Sequence, residues 1–407
     1  MNILFVTFYF PPEVGAPQRR IWEFAVRLKE RGHRVKILTG FPNYPQGKLI
    51  SPYQRRLYLR ENMDGIEVLR VFHFLGSRQG KLGRAVAEGS FASSASIAAL
   101  LEAAPDVVIV ESPSLLSGWV GTLLKRMRGS AFVLHLSDLI PDMAVALGML
   151  SPGSLANLLH RMAHWFYREA DGIVVVTEGL RSALVKKEIS PDKIQFIMNG
   201  VEEDWLADGT GGHPRAANGV FRVLYFGNHG AAQNLSVILD AAGILKEEGI
   251  AFDFVGDGIE KPSLMEKASQ MRLNNVFFHS SMPRVQIAER LIGADAVVVP
   301  LVGRPEMEAA VPSKLFEAMA AGKPIVLTAR GESAQLVRRV DAGWVVEPDN
   351  PKALAEAIWA VCTNPEEAQK KGEKGRAFVK QHCLRSALTE RLEEMLQEIA
   401  ARKRKRV

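Results

Sequence analysis

One segment, PSKLFEAMAAGKP at residues 312–324, carries residue types that can bind a phosphorylated nucleotide. Ser313 is a good N-cap residue and Gly322 a good helix stop, so a short helix is predicted between them. Free N–H groups and the dipole of its first turn suit a diphosphate, and Lys314 adds a positive charge. Glu317, one turn further, can accept two hydrogen bonds from a ribose diol. Taken alone, the same residues also fit an ordinary capped surface helix.

Other polar or glycine residues follow apolar runs. Asp138 comes after the run 132–136, and His135 lies two residues before Ser137 within the same predicted strand. An acid at a strand end can orient a hydroxyl group, although a structural role is as common for such an acid and more common for a lone histidine. Gly256 and Gly258 follow another apolar run, where glycines allow a close approach to phosphate or an ordinary strand-to-helix turn.

Composition bounds the class of protein. A chain of 407 residues is too long for one ordinary core and suits two domains. No apolar run reaches the roughly 18 residues of a membrane span, and the opening MNILFVTFYF is typical of a strand rather than a signal peptide. Two cysteines without Cys-x-x-Cys spacing make a disulfide framework or zinc site improbable. We therefore expect a cytoplasmic protein. Its net charge of +6 suits an anionic substrate or membrane face, and nothing in the pattern favours nucleic acid.

The elements that must position these residues alternate as strands and helices. In the first half, continuous apolar runs predict strands buried on both faces at residues 3–8, 35–38, 107–110, 132–136, 173–176 and 194–197. A Gly-rich stretch at 205–219 is predicted to be a linker. The pattern then restarts, with strands predicted at residues 223–226, 252–255, 276–278, 296–299, 325–327 and 344–346.

This rhythm predicts an α/β protein of two doubly wound, Rossmann-like domains that face each other across a cleft. We assign residues 1–204 to the first domain, 220–375 to the second, and 376–407 to a C-terminal helix that packs back on the first domain. Ligands in such sheets bind beyond the carboxyl ends of the strands, which is where the polar residues stand.

The segment 312–324 resembles the nucleotide-binding signature of GT-B glycosyltransferases of family 4. Further motifs match in order along nearly the whole chain: the Gly15 loop, Asp138-Leu139-Ile140-Pro141, Met198-Asn199-Gly200-Val201, Phe226-Gly227-Asn228 and Val255-Gly256-Asp257-Gly258. Each motif is weak alone, but their ordered series is specific. The sequence is most similar to the bacterial branch that builds O-antigen and capsule repeat units, including N-acetyl-L-fucosamine transferases.

The resemblance implies that the first domain binds the acceptor and the second binds the nucleotide sugar. It also implies roles for individual residues. Glu317 would hold the ribose hydroxyls, and the N–H groups of Lys314 and Leu315 at the start of the helix would contact the diphosphate. Gly15 would let the N-terminal loop approach the donor phosphate. The remaining donor-binding positions would be Asn228, Gly256, Asp257, Gly258, Ser281, Met282 and Ser313.

The sequence also departs from the family pattern. Family members usually carry a second glutamate at the position that is Ala309 here, while Glu308 lies one residue out of register. Either a loop shift brings Glu308 to the sugar, or backbone groups hold the donor sugar. A usual histidine before the Asp138 motif is replaced by Ser137, and His135 could substitute for it.

A second departure concerns positive charge. The family often has an arginine and a lysine after the first strand of the second domain, but residues 227–234 contain neither. Lys314 becomes the leading candidate for neutralising the diphosphate, with Arg19 or Arg304 as helpers. No Asp-x-Asp triplet occurs, so we expect a metal-independent enzyme without a cofactor, and the resemblance implies retention of anomeric configuration. Asp138, His135 and Glu308 are the candidate catalytic residues.

The expected partners are a nucleotide sugar, with UDP favoured by resemblance, and a lipid-linked sugar acceptor, with peripheral contact to the cytoplasmic face of the inner membrane left open. Two other functions remain open at this point. A nucleotide-sugar 2-epimerase would use the same architecture, and Ala309 together with the missing cations also fits an inactive nucleotide-sugar-binding protein. A dehydrogenase is disfavoured because no Gly-x-Gly-x-x-Gly follows the first strand.

Overall fold

The computed structural model describes residues 1–13, 15–43, 47–49, 53–54, 56–75, 81–112, 114–146, 148, 150–206 and 219–404. The chain forms two compact units. Unit 1 is Met1–Met198 with Ser386–Val407, and unit 2 is Asn199–Arg385. The division falls near residue 198 rather than 204. Trp205, placed in the linker by the sequence, is buried in a short 3-10 turn of unit 2, and residues 207–218 of that linker lie outside the described residues.

Unit 1 contains a sheet with helices between its strands. The strands are β1 (Asn2–Thr7), β2 (Arg34–Gly40), β3 (Tyr58–Met63), β4 (Ile66–Val71), β5 (Val107–Glu111), β6 (Ala131–Leu136), β7 (Gly172–Val175) and β8 (Ile194–Phe196). The helices are α1 (Ala16–Glu30), α2 (Lys81–Leu101), α3 (Gly118–Arg128), α4 (Asp142–Ala146), α5 (Ser154–Glu169) and α6 (Glu178–Lys186).

The strand order of this sheet is β3-β4-β2-β1-β5-β6-β7-β8, and every pairing is parallel except that of β3 with β4. The central strands β5 and β6 are buried along their whole length, which explains their unbroken apolar sequences. β3 and β4 were not predicted. β3 lies at the sheet edge and alternates exposed with half-buried residues, so it lacks the apolar run that marked the other strands.

Unit 2 repeats the alternation of strands and helices. Its strands are β9 (Phe221–Phe226), β10 (Ile250–Val255), β11 (Val276–His279), β12 (Ala296–Pro300), β13 (Ile325–Thr328) and β14 (Gly343–Val346). Its helices are α7 (Ser236–Ile244), α8 (Lys261–Gln270), α9 (Arg284–Gly293), α10 (Ser313–Ala320), α11 (Gly331–Val340), α12 (Pro351–Thr363) and α13 (Pro365–His382).

The unit 2 sheet is parallel throughout, with the order β11-β10-β9-β12-β13-β14. This is the 3-2-1-4-5-6 order of a Rossmann fold, in which the direction of strand progression reverses between the first and fourth strands. Here that reversal lies between β9 and β12. The loops that follow these two strands therefore diverge and leave a crevice at the carboxyl edge of the sheet, the usual place for a nucleotide.

The chain does not end in one helix over residues 376–407. α13 stops at His382, and α14 (Arg385–Arg404) begins three residues later. Between them Leu384 pairs with Val201 in a parallel bridge, which draws the backbone out of helical geometry. α14 belongs to unit 1, where Leu388, Leu392 and Leu396 join the core beside α1 and the sheet. Among the described residues, no helix is both long and apolar enough to cross a membrane.

Candidate active site

In unit 2, two glycines allow the loop after β10 to lie against the loop after β9. A Cβ on Gly256 would stand 1.9 Å from the carbonyl oxygen of Gly227, and one on Gly258 would stand 2.3 Å from that of His229. Gly256 also has a φ of +142°, a region that side-chain-bearing residues rarely enter. These two glycines are therefore required for the contact between the two loops, independently of any role in ligand binding.

Hydrogen bonds continue this contact toward β11. The backbone N–H of His229 donates to the carbonyl of Asp257 at 2.9 Å. The N–H and hydroxyl of Ser281 each lie 3.3 Å from a carboxylate oxygen of Asp257. Lys261 stands 3.2 Å from the other carboxylate oxygen and also donates to the carbonyl groups of Gly256 and His279. The predicted loops 256–258 and 281–283 are thus brought together.

Asp257 is charged in this arrangement. Partial burial opposes ionisation, but the Ser281 N–H and the Lys261 ammonium group outweigh it, and together they lower the pKa of Asp257. A negative group here repels phosphate but can accept hydrogen bonds from a base or sugar. Asn228 is exposed beside it, and Met282 is half-buried.

Helix α10 starts differently from the prediction. Pro312, not Ser313, occupies the N-cap position, and no side chain caps the first turn. Ser313 is the first helical residue, so its hydroxyl is not required to satisfy the helix N–H groups. Leu315 is fully buried and fixes the helix in the core. The predicted stop holds, since Gly322 has a φ of +67° and the N–H of Lys323 bonds back to Ala318.

Lys314 projects from the first turn of α10 to β9. Its Nζ lies 3.0 Å from the hydroxyl oxygen of Tyr225 and 4.2 Å from the centre of that ring. Gly227 leaves the space that the ammonium group fills, because a Cβ there would stand 2.9 Å from Nζ. Burial lowers the pKa of Lys314 to about 7, although Glu317 opposes the shift.

The two candidate glutamates of unit 2 lie on different elements. Glu317 is half-buried in the middle of α10. Glu308 has an exposed side chain after a short 3-10 turn, and its backbone is held tightly, because the N–H of Glu332 donates to its carbonyl at 2.7 Å. A Cβ on Gly331 would stand 2.1 Å from the same carbonyl oxygen. Packing of its backbone therefore fixes the position of Glu308 in the loop. Ala309 occupies the position at which the family usually has its second glutamate.

His229 is a site residue that the sequence did not single out. Its ring is fully buried against Tyr225, Phe254 and Phe278, and within the described ranges neither ring nitrogen has a hydrogen-bond partner. Burial first, and then the charges of Lys261 and Lys314, lower the pKa of His229 to about 4, against an opposing effect of Asp257. The ring is therefore neutral at pH 7.

In unit 1, a buried charged cluster lies at the carboxyl ends of β5 and β6. Glu111 is fully buried and contacts the guanidinium group of Arg20, which reaches it from α1. Nδ1 of His135 stands 2.8 Å from the same carboxylate, and the hydroxyl of Ser137 donates to it at 3.2 Å. Burial alone would raise the pKa of Glu111, but Arg20 and His135 outweigh burial and lower it.

His135 is therefore an internal residue in this structure, with 1% of its surface exposed. Its contact with Glu111 can orient the cluster, but the ring itself does not reach the surface of unit 1. The signal for Glu111 was present in the sequence, since a glutamate that ends the run VVIVE is buried with a strand and needs a partner. Arg20 gave no such signal, because an arginine on a helix is usually solvated.

Asp138 lines a small pocket beside this cluster. The pocket is mainly apolar, with walls that include Leu136, Ile140 and Tyr167 and with Ser112 among its polar groups. Burial raises the pKa of Asp138, Arg20 opposes the shift and Glu111 adds to it. Such a carboxylate binds a proton more readily than a solvated one and can orient a hydroxyl group.

Gly15 directly precedes α1, the helix that carries Arg20. Its backbone is extended, with a φ of 178°, so no conformational strain requires glycine there. A Cβ would meet only the flexible side chain of Gln18. Val14, its neighbour, lies outside the described residues. Among the described residues, no group of three or more His, Cys, Asp or Glu side chains could hold a metal ion, and metal independence stays a prediction.

Unit 2 thus has the strand order, the glycine loops and the helix N-terminus of a Rossmann-like nucleotide-binding domain, and unit 1 has a mostly parallel sheet. Residues 15–200 match the family described as Glycosyl transferase 4-like domain, and residues 214–378 match Glycosyl transferases group 1. Together the two matches span most of the chain, which belongs to the GT-B glycosyltransferases of family 4.

Individual relatives agree with this assignment. WcaI of Escherichia coli K12, described as a glycosyl transferase of colanic acid biosynthesis, is 26% identical over 88% of this chain and 91% of its own length. WbjE of Pseudomonas aeruginosa, described as a glycosyltransferase, is 30% identical over 63% of this chain and 66% of its own. A crystal structure of Anabaena HepE in complex with UDP superposes with a TM-score of 0.71 at 17% identity, covering 98% of this chain and all of that one.

Proposed function

We propose that this glycosyltransferase transfers an N-acetylated sugar from a UDP-sugar to a lipid-linked or other glycan acceptor during surface polysaccharide synthesis. The observation that carries the proposal is the crevice between β9 and β12, where the first turn of α10 and the ammonium group of Lys314 adjoin the glycine loops. A helix N-terminus next to a cation is an anion-binding arrangement. The descriptions of WcaI and of the UDP complex of HepE support the biological setting and the nucleotide.

The proposed reaction retains the anomeric configuration and needs no metal ion. The acceptor oxygen forms a bond to the anomeric carbon on the face from which the diphosphate departs. The bond between that carbon and the phosphate oxygen breaks, the diphosphate leaves with the electron pair, and its oxygen takes the hydroxyl proton. Lys314 and the α10 N–H groups stabilise the charge that develops on the diphosphate. Asp138 orients the acceptor hydroxyl, His135 and Glu111 belong to the buried cluster beside it, and Glu308 is the candidate side chain for the donor sugar.

The nucleotide site is tested by calorimetric titration of the protein with UDP and GDP in EDTA. Glu317→Ala removes the proposed ribose partner, so we expect it to weaken UDP binding by about 1–3 kcal/mol. The matched control is Glu356→Ala, which removes an exposed carboxylate from α12 and should bind UDP as the wild type does. Absence of binding by either nucleotide, or equal affinity in a folded Glu317→Ala variant, would contradict the site.

The products separate this function from the two others left open by the sequence. Incubation with a UDP-N-acetylhexosamine and a polyprenyl-diphosphate sugar should yield an elongated lipid-linked glycan and free UDP. An epimerase would instead release an altered UDP-sugar without any acceptor. A protein that only binds the nucleotide sugar would give neither product.

A further inference from the structure

Tyr225 and Lys314 join β9 to α10 through a chain of hydrogen bonds with a fixed direction. The Tyr225 hydroxyl donates its single proton to the carbonyl oxygen of Asn228 at 2.5 Å. It must therefore accept from the ammonium group of Lys314, which lies 3.0 Å away. The ring of Tyr225 also offers its face to the same ammonium group, at 4.2 Å from the ring centre. Both interactions favour the charged form of the lysine.

Lys314 lacks the counter-ion that a partly buried ammonium group normally has. In the part of the chain that the structure describes, no carboxylate forms an ion pair with its Nζ, and its hydrogen bond goes to a neutral hydroxyl. The groups around it are Glu317 on its own helix, Tyr225 on β9 and the neutral ring of His229 after β9. The nearby Lys261 and Asp257 are paired with each other.

The contact between Tyr225 and Lys314 lies beside a loop that has no positively charged residue of its own. Residues 227–234, which follow β9, contain no arginine or lysine. Lys314 reaches that loop from α10, and Gly227 leaves the space for it. Lys314 thus brings a positive charge from the helix to the side of this loop.

We propose that Tyr225 is a positioning residue that holds Lys314 beside the first turn of α10, and that the donor diphosphate supplies the missing counter-ion, so that nucleotide binding draws a proton onto Lys314. This inference rests on the proposed function, since it assumes that the diphosphate binds at α10. It adds that binding is coupled to proton uptake and that this coupling depends on a tyrosine hydroxyl.

The expected pH dependence follows from the free protein. Burial lowers the pKa of Lys314 to about 7, with Glu317 opposing, so the lysine is mostly neutral at pH 8. A bound diphosphate raises that pKa, because an adjacent negative charge favours the ammonium form. Affinity for UDP should therefore fall by up to about tenfold for each pH unit above pH 7, a range in which the UDP phosphates stay ionised.

The experiment is calorimetric titration of the whole protein with UDP at pH 8 in two buffers of different ionisation enthalpy. At this pH the phosphates of UDP are already fully ionised, because their highest pKa is about 6. The wild type should take up about one proton for each UDP bound. Lys314→Arg keeps a permanent charge, so it should bind UDP without proton uptake and with an affinity that does not change between pH 7 and 8.5.

Tyr225→Phe tests the positioning role, since it keeps the ring and removes only the hydroxyl. We expect UDP binding to weaken by about tenfold at pH 8, and the midpoint of the pH profile to move to lower pH, because the charged lysine loses its acceptor. Tyr58→Phe, on an exposed tyrosine of β3, and Lys323→Met, on a buried lysine whose ammonium group bonds to Ile292, are the controls and should bind as the wild type does.

The outcomes distinguish this inference from the function it rests on. If UDP binds to the wild type without proton uptake, or if folded Tyr225→Phe keeps both the affinity and the pH profile of the wild type, the inference is overturned and the nucleotide site stands. If UDP does not bind at any pH, the proposed nucleotide site and the inference both fail.

Discussion

Gly256 shows how one residue without a side chain determines the form of a loop. Its φ of +142° and the carbonyl of Gly227, 1.9 Å from a Cβ position, exclude any other residue for two separate reasons. Gly249, in the same unit, has a φ of +68° but open space around the Cβ position. The two glycines therefore separate the energetic cost of backbone strain from that of a collision.

We expect Gly256→Ala to lower the free energy of unfolding by about 3 kcal/mol or more, since the two loops must move apart. Gly249→Ala should cost only about 1–2 kcal/mol, the usual penalty for a left-handed conformation. Urea unfolding curves of both variants measure the difference. Equal losses of unfolding free energy in the two variants would mean that the loop after β10 can move away from Gly227 at little cost.

At the scale of elements, the reversal of strand order between β9 and β12 gathers the candidate site. Residues that are distant in sequence, such as Tyr225 and Lys314, meet because their elements flank that crevice. α14 shows a similar effect in unit 1. It comes last in the chain, yet Leu388, Leu392 and Leu396 fill the core formed by the first strands.

Truncation of one of these leucines should therefore destabilise unit 1. We expect Leu392→Ala, at a fully buried position, to lower the free energy of unfolding by about 2–5 kcal/mol, through lost burial and the cavity left behind. Gln397→Ala, on the exposed face of the same helix, should change it by less than about 0.5 kcal/mol. Urea denaturation followed by tryptophan fluorescence measures both. An unchanged free energy of unfolding in Leu392→Ala would show that α14 does not contribute to the core.

At the scale of the whole molecule, the polypeptide leaves unit 1 at residue 198, builds unit 2 and returns at residue 386. The proposed nucleotide site draws on loops spread over nearly 100 residues of unit 2. A bound nucleotide should therefore protect several separate peptides at once.

Hydrogen exchange with and without UDP tests this expectation. Slower exchange is expected in peptides that contain residues 227–230, 256–258 and 281–283 and the first turn of α10, because ligand contacts reduce local opening. The carboxyl-terminal turn of α10, with Gly322, serves as the internal control and should exchange as before. Protection confined to the peptide 131–138 of unit 1 would contradict the proposed nucleotide site, which lies in unit 2.

The sequence alone determined the α/β class and most of the strands. Strands of a parallel sheet tend to have continuous apolar runs, and such runs are visible without a structure. All six strands of unit 2 were predicted in this way, including the half-buried edge strands β11 and β14. β3 was missed because its residues alternate between exposed and half-buried positions, so its sequence contains no such run. The ordered motifs likewise led to the glycosyltransferase family, and Gly322 marked a helix stop because its left-handed φ is a local property.

Only the tertiary structure decided which side chains meet. Lys314 gave the same signal as a solvated surface lysine until α10 was placed against Tyr225, a residue 89 positions earlier. The break between α13 and α14 depends on the pairing of Leu384 with Val201, and helical periodicity continues through it in the sequence. The buried pair of Arg20 with Glu111 likewise depends on α1 lying across the end of β5. Local patterns specify local structure, whereas burial and partners are properties of segments that the fold brings together.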